Sequence, residues 1–255
     1  MLTVEPIPLL NDNYAWLITC ADSLSCAVVD PSEGQSVEDV LRRKGLQLKT
    51  ILITHHHWDH IGGVEHLIKA CMLYSVIASD YDAAHGRVFG ITHPVGNGAV
   101  LTALGTEFRV LSVPGHTLGA VAYYFPVQKL VFTGDTLFTA GCGRLFEGTP
   151  SQMYESLRLL CDLPPETLLY CGHEYTEKNL RFATTIEPDS IAISARLEEV
   201  VQLREKNLPT VPVPLYVELE TNPFLRVDQA PVLRRMGLSD PVECFAKIRK
   251  SRDSF

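Results

Sequence analysis

Five of the nine histidines, together with two aspartates, form a set that packing alone rarely produces. The run Thr54-His55-His56-His57-Trp58-Asp59-His60 has the spacing HxHxDH and follows an apolar, β-branched stretch that reads as a strand. In extended backbone, residues two apart point the same way, so His55 and His57 can grip one ion while His56 faces elsewhere. The chain must then turn. If Asp59 and His60 open the helix whose inner face starts at Val64, the change of direction aims them at a second ion, and Gly62 and Gly63 let that turn lie close to the site.

Three more donors recur in a common setting. His116 closes Val113-Pro114-Gly115-His116, Asp135 closes Phe132-Thr133-Gly134-Asp135 and His173 closes Tyr170-Cys171-Gly172-His173, each after a predicted strand with a glycine immediately before it. In a layered α/β fold such strand ends gather along one edge, where residues distant in sequence converge. Imidazole and carboxylate suit zinc, iron or manganese. Seven donors are too many for one tetrahedral ion and suit two metals sharing a carboxylate. A structural zinc site would favour cysteine-rich closure, and Cys142 and Cys171 lack partners at suitable spacing. Cys142 as a nucleophile is a weaker alternative, because nothing marks an activating base for it. His66, His85 and His93 stand alone and read as surface or core residues.

The elements that must position these donors are short. Tyr14 to Thr19, Ser25 to Val29, Thr50 to Thr54, Ser75 to Ala78, Glu107 to Val113, Ala120 to Phe125, Lys129 to Thr133 and Thr167 to Cys171 read as strands. A helix is predicted over Ser36 to Lys44, with Ser36 as cap, Val37, Val40 and Leu41 inward and Gly45 as its end. Val64, Leu67, Ile68 and Cys71 repeat that stripe, and Thr149-Pro150-Ser151-Gln152 is a capping box with proline first. Ser190 to Asn207 carries an apolar stripe opposite charged residues and reads as an amphipathic helix. Pro209, Pro212 and Pro214 predict an extended linker. Asp240-Pro241-Val242-Glu243 starts a basic final helix.

The 255 residues are 46% hydrophobic and 20% charged, an ordinary globular composition with room for one large domain or a domain plus an appendage. A net charge of -8 argues against nucleic acid as a partner, so an anionic ligand needs a local basic patch. Seven cysteines without a CxxC pair point to a reducing compartment. Glu5, Pro6 and Pro8 break up the apolar N-terminus, and no apolar run approaches the ~18 residues of a membrane helix. A cytoplasmic protein with no membrane partner is expected.

At these residues the chain resembles the metallo-β-lactamase superfamily and, within it, the glyoxalase II or hydroxyacylglutathione hydrolase family. HxHxDH alone marks only the superfamily. The narrower likeness rests on Asn11-Asp12-Asn13-Tyr14, the segment from Gly141 to Gly148, Cys171-Gly172-His173-Glu174-Tyr175-Thr176, the segment from Thr221 to Arg226 and the basic C-terminal helix. The resemblance implies an α/β fold, an αββα sandwich over residues 1–173, followed by a helical glutathione-binding domain over 174–255. It implies that His55, His57 and His116 hold one divalent ion, that Asp59, His60 and His173 hold a second, and that Asp135 bridges them. Zinc is the first expectation for both, with iron and manganese as alternatives.

The same resemblance puts Arg144, Tyr175, Asn179, Arg249 and Arg252 on glutathione, whose two carboxylates suit arginine forks. Read without it, Lys247, Arg249, Lys250 and Arg252 are a solvated helix end. Phe146 stands where relatives often have tyrosine, and Arg252 where lysine also occurs. The implied reaction is hydrolysis of S-D-lactoylglutathione to glutathione and D-lactate by a metal-activated hydroxide, the second step of methylglyoxal detoxification, with Asp59 and Asp135 at the reacting centre. A monomer acting on a small thioester is expected. An iron-dependent persulfide dioxygenase shares HxHxDH but uses one metal and lacks the C-terminal segment. A β-lactamase, lactonase or nuclease fits the acidic balance and the closing basic helix less well, and open coordination positions, which usually signal catalysis, weigh against a non-catalytic metal binder.

Overall fold

The computed structural model describes residues 2–21, 23–71 and 75–255, and the chain divides into two compact units. The first comprises Met1–Ser112 and Gly119–Gly134, the second Val113–Leu118 and Asp135–Phe255.

In the first unit, β1 (Leu2–Leu9), β2 (Asn13–Cys20) and β3 (Ser25–Val29) pair antiparallel, and α1 (Gly34–Lys44) leads to β4 (Gln47–Leu52). The short helices α2 (Trp58–Ile61) and α3 (Val64–Ala70) lead to β5 (Ser75–Ser79), and α4 (Asp80–Ala84) to β6 (His93–Val95). These strands lie in the order β1-β2-β3-β4-β5-β6, parallel from β3 onward, so each parallel neighbour is reached by a helical crossover. Strands β7 (Val100–Ala103), β8 (Thr106–Ser112), β9 (Val121–Phe125) and β10 (Leu130–Gly134) form an antiparallel meander. The buried Tyr123 of β9 joins the two layers: its hydroxyl donates to the carbonyls of Ile53 at 2.7 Å and Ile77 at 3.2 Å. Val37, Leu41, Val64 and Leu67 pack from α1 and α3 onto Ile7, Leu17, Val28 and Ile51.

Strands β2, β3, β5, β8, β9 and β10 lie within about two residues of their predicted positions, but two helix predictions need correction. Helix α1 begins at Gly34, with Glu33 in extended backbone as its cap and no side-chain capping bond, so Ser36 lies inside the helix. The cap thus lies three residues earlier than predicted, and Gly34 sits under His66, where a Cβ would come within 2.5 Å of that side chain, so the first helical position has room only for glycine. Strand β1 was hidden by Pro6 and Pro8. It is an edge strand pairing only with β2, so the missing N–H groups cost no ladder bond.

The second unit opens on the hairpin β11 (Leu137–Phe138) and β12 (Gly141–Cys142), followed by α5 (Pro150–Cys161), β13 (Leu168–Cys171), α6 (Thr176–Ile186) and α7 (Ile191–Glu205). The chain closes with β14 (Val213–Pro214), α8 (Leu215–Thr221), α9 (Ala230–Met236) and α10 (Pro241–Asp253). The capping box at Thr149 and the cap at Asp240 form as predicted, and Ser190 caps α7 with its side chain. The proline segment is not a linker. Thr210, Val211 and Val213 are buried, β14 pairs with β13, and the Glu174 carboxylate accepts from the Thr210 amide at 2.9 Å and its hydroxyl at 2.6 Å. Among the described residues, no helix is long and apolar enough to cross a membrane.

Glu218 of α8 is fully buried, and burial pushes its carboxyl up to about 7 from 4.5. The folded state therefore holds an extra proton between those limits, and this group's contribution to stability falls as pH rises from about 4.5 to about 7. Glu218→Gln, which cannot ionise, should gain on the order of 1–3 kcal/mol relative to the parent between pH 5 and pH 8. Urea denaturation at the two pH values measures this, and an unchanged difference would refute it.

Candidate metal centre

In the first unit the extended chain beyond β4 delivers His55 and His57 on one side. His55 Nε2 lies 3.2 Å from His57 Nδ1, a spacing that a hydrogen bond or a shared cation satisfies. His56 turns away as the alternation predicts, with Nδ1 at 3.3 Å from Asp82 Oδ1 and 3.4 Å from Arg87 Nη1. Asp59 and His60 do not open the helix of Val64. They occupy the separate turn α2, which Gly62 and Gly63 interrupt before α3 begins. The cause is close backbone packing: a Cβ on either glycine would lie 2.6 Å from a carbonyl oxygen, that of Ser32 or that of Pro31.

Two residues without an assigned role in the sequence hold these donors. Asp30 is buried in a left-handed conformation, φ 50°, that aspartate tolerates better than most residues. Its Oδ1 accepts from the Thr54 amide at 2.8 Å, and its Oδ2 accepts from the Thr54 hydroxyl at 2.6 Å and faces His60 Nδ1 at 2.9 Å. A carboxylate at Nδ1 calls for the proton there, which makes Nε2 the lone-pair nitrogen of His60. The same Thr54 hydroxyl lies 3.1 Å from His55 Nδ1, so Asp30 steadies two imidazoles. Asn13 Nδ2 donates to the Asp59 carbonyl at 3.0 Å and to its Oδ2 at 3.2 Å, and the Ser32 hydroxyl bonds the same carbonyl. The motif around Asn13 was visible in the sequence, whereas nothing local marks Asp30 beyond its place between a strand end and Pro31.

In the second unit Asp135 Oδ2 lies 3.6 Å from His116 Nε2 and 3.3 Å from His173 Nε2. His116 Nδ1 donates to the Arg144 carbonyl at 2.7 Å, which again leaves Nε2 as the donor nitrogen. The ring of Tyr175 stacks on His173 with centroids 4.6 Å apart and planes 7° from parallel, while Phe138 meets both rings edge-on. Gly115 has φ 153° and lies against Met153, where a Cβ would come within 2.7 Å. Gly143 passes so close to Asp135 that a Cβ would lie 2.0 Å from its carbonyl oxygen.

Imidazoles whose second nitrogen is engaged, converging on carboxylate oxygens, fit divalent transition ions. Among the described residues, His55, His57, Asp59 and His60 in the first unit, and His116, Asp135 and His173 in the second, are His and Asp donors of the kind able to hold metal ions. Cys142 is buried and its thiol is pushed up to about 11 by that burial, against the pull of Arg249, which disfavours the nucleophile alternative.

The residues expected on glutathione are placed unequally. Arg144 is exposed, its Nε donating to Asp253 Oδ1 at 3.2 Å. Arg249 is buried: Nη1 donates to the Cys142 carbonyl at 2.7 Å, Nη2 to the same Asp253 oxygen at 3.0 Å, and the guanidinium lies 5.2 Å from the Phe224 ring centre. Arg252 Nη2 donates to Asn179 Oδ1 at 3.1 Å, and Asn179 Nδ2 to the Thr139 carbonyl at 3.0 Å. Burial, with Arg249 nearby, lowers the pKa of Arg252.

Residues 10–173 match the family model of the metallo-β-lactamase superfamily, and residues 174–255 match that of the hydroxyacylglutathione hydrolase C-terminus. The hydroxyacylglutathione hydrolase of Pseudomonas aeruginosa strain LESB58 is 45% identical over 263 residues, all of both chains. That of Rhodospirillum rubrum is 46% identical over 256 residues, all of this chain and 99% of the relative. Among solved structures, TTHA1623 in a di-iron-bound form is similar with a TM-score of 0.63 and 27% identity, covering 87% of this chain and 100% of that one. ETHE1 from Myxococcus xanthus has a TM-score of 0.59 and 25% identity, covering 86% and 96%.

Proposed function

Because the chain belongs to the hydroxyacylglutathione hydrolases, with the metallo-β-lactamase fold and a C-terminal helical region, we propose that its seven-residue cluster hydrolyses S-D-lactoylglutathione at a pair of divalent ions. The observation that carries this reading is a family match that runs from the His/Asp cluster into the basic last helix without a gap. The dioxygenase alternative lacks that C-terminal segment. In this assignment His55, His57 and His116 hold one ion, Asp59, His60 and His173 the other, and Asp135 serves both. Zinc suits the five imidazoles and two carboxylates, and iron and manganese suit them next. Residues 174–255 form the glutathione-binding domain, and the protein acts as a cytoplasmic monomer in methylglyoxal detoxification.

Bound divalent ions would supply Lewis acidity, lowering the pKa of water and drawing charge from the thioester carbonyl. The chain's own residues set the geometry. Asn13 holds the Asp59 carboxylate, Asp30 holds His60, and the Arg144 carbonyl holds His116, so each of these donors would be oriented by its own support when an ion binds. The leaving group is a thiolate, whose conjugate acid has a pKa near about 8.5, so no strong general acid is required. Arg144, Arg249 and Arg252 supply cations for the two carboxylates of glutathione. Phe146 offers that peptide no hydroxyl.

The direct test is release of thiol from S-D-lactoylglutathione by the metal-replete protein. Turnover is expected, with loss on EDTA treatment and recovery on adding zinc; no release above the EDTA control would end the assignment. The two arginines should separate. Arg144→Ala, at the surface, should raise KM about 10-fold with little change in Tm. Arg249→Ala should raise KM and also lower Tm, because it removes the buried donor to Cys142. Equal Tm values for the two variants, or an unchanged KM in both, would contradict this.

A further inference from the structure

Between Asp135 and Arg144 the chain makes a tight excursion, the β11–β12 hairpin, whose turn holds Ala140 at φ 55°, a conformation costly for alanine. Side chains from the C-terminal helices take up its backbone polar groups one after another. Asn222 Nδ2 donates to the carbonyls of Phe138 at 3.1 Å and Gly141 at 3.0 Å. Asn179 Nδ2 donates to the Thr139 carbonyl, and Glu218 Oε2 accepts from the Ala140 amide at 2.7 Å. Arg249 holds the Cys142 carbonyl. Asn222 Nδ2 also donates to Glu218 Oε2 at 3.0 Å, and the Asn222 Oδ1 accepts from the Phe224 amide, which fixes the amide's orientation.

Glu218 and Asn222 are both fully buried; Glu218 Oε2 meets the Ala140 amide and the Asn222 amide, while its Oε1 has no hydrogen-bond partner among the described residues. Five consecutive residues, 138–142, are thus held by side chains in addition to the two-stranded β11–β12 pairing. The next residue, Gly143, closes back on the start of the excursion: its amide donates to the Thr136 carbonyl at 3.3 Å, and its Cα passes against the Asp135 carbonyl.

We propose that Glu218 and Asn222 are positioning residues for Asp135: by gripping the Leu137–Cys142 hairpin they fix the carboxylate that faces His116 and His173. The inference rests on Asp135 being a metal ligand. It gives the C-terminal helices a part in metal affinity besides thiol binding.

The test is zinc affinity of the metal-free protein, by competition with a chromophoric chelator at 25 °C, beside the Tm of each apoprotein. Asn222→Ala and Glu218→Ala should weaken zinc by about 10-fold or more, the scale of supporting groups around metal ligands. Glu218→Gln keeps the acceptor for the Ala140 amide and should stay within about 3-fold of the parent. A lower Tm with unchanged zinc affinity in Asn222→Ala would overturn the proposal, since the role would then be stability alone. A Glu218→Gln as weak as Glu218→Ala would remove Glu218 from it.

If the alanine variants do not fold, hydrogen exchange on the parent decides. Coupling is reciprocal, so zinc loading should slow exchange at Ala140 and across 218–222, and unchanged exchange there would refute the link. Asp135→Ala with parental zinc affinity would instead remove the ligand assignment on which the inference rests.

Discussion

Asp135→Ala is expected to lose the metal pair and to lower kcat/KM by about 10³-fold or more. The carboxylate faces two imidazole nitrogens through a single oxygen, Oδ2, and its methyl replacement leaves His116 and His173 with no common anionic partner. The other supports of those rings, the Arg144 carbonyl and the Tyr175 ring, are untouched by the substitution, so the protein should remain folded. Metal analysis after dialysis and thiol-release kinetics read the two effects separately. Retention of two tightly bound ions would contradict the bridging role, whatever happened to the rate.

Asp30→Ala should cost nearly as much although the residue is not among the metal donors. Three groups depend on its carboxylate: the Thr54 amide, the Thr54 hydroxyl and His60 Nδ1. Each buried donor left unmatched costs about 1–3 kcal/mol, so a loss of several kcal/mol in folding stability is expected. Release of the His60 ring should also weaken metal binding by about 10- to 100-fold. Asp30→Asn, which keeps one acceptor oxygen and tolerates positive φ, should fall between the two. Zinc competition on the folded variants is the deciding measurement, and parental affinity in Asp30→Ala would show that Thr54 and His60 hold their positions without it.

What was legible in the sequence is what depends on neighbours along the chain. The alternation of His55, His56 and His57 sends the middle ring to Asp82, and the capping signals at Thr149 and Asp240 form helix starts, because period-two backbone and first-turn amides are local matters. Asp30 stayed hidden because its partners lie 24 and 30 residues away and its own surroundings resemble an ordinary strand end. The break between α2 and α3 depends on how closely residues 31 to 34 pass Gly62 and Gly63, which no periodicity records. Pro209 to Pro214 read as linker because proline carries no ladder donor, yet burial and a two-residue strand hold the segment in place. Glu218 read as one more acidic residue on a short helix, and only the fold reveals that it meets an amide 78 positions earlier.

The uneven division of the chain bears on how such a protein could arise and vary. The two family matches meet at residues 173 and 174, whereas the compact units place Asp135 and everything after it together. The seam between the matches is thus not a joint between the compact units. A gene cut there would strand the hairpin of residues 137–142 without Asn179, Glu218, Asn222 and Arg249, and the shorter product would inherit a loop shaped for companions it no longer has. A chain given a different tail should therefore need a different loop between Asp135 and Arg144, because the present one is shaped to these four side chains.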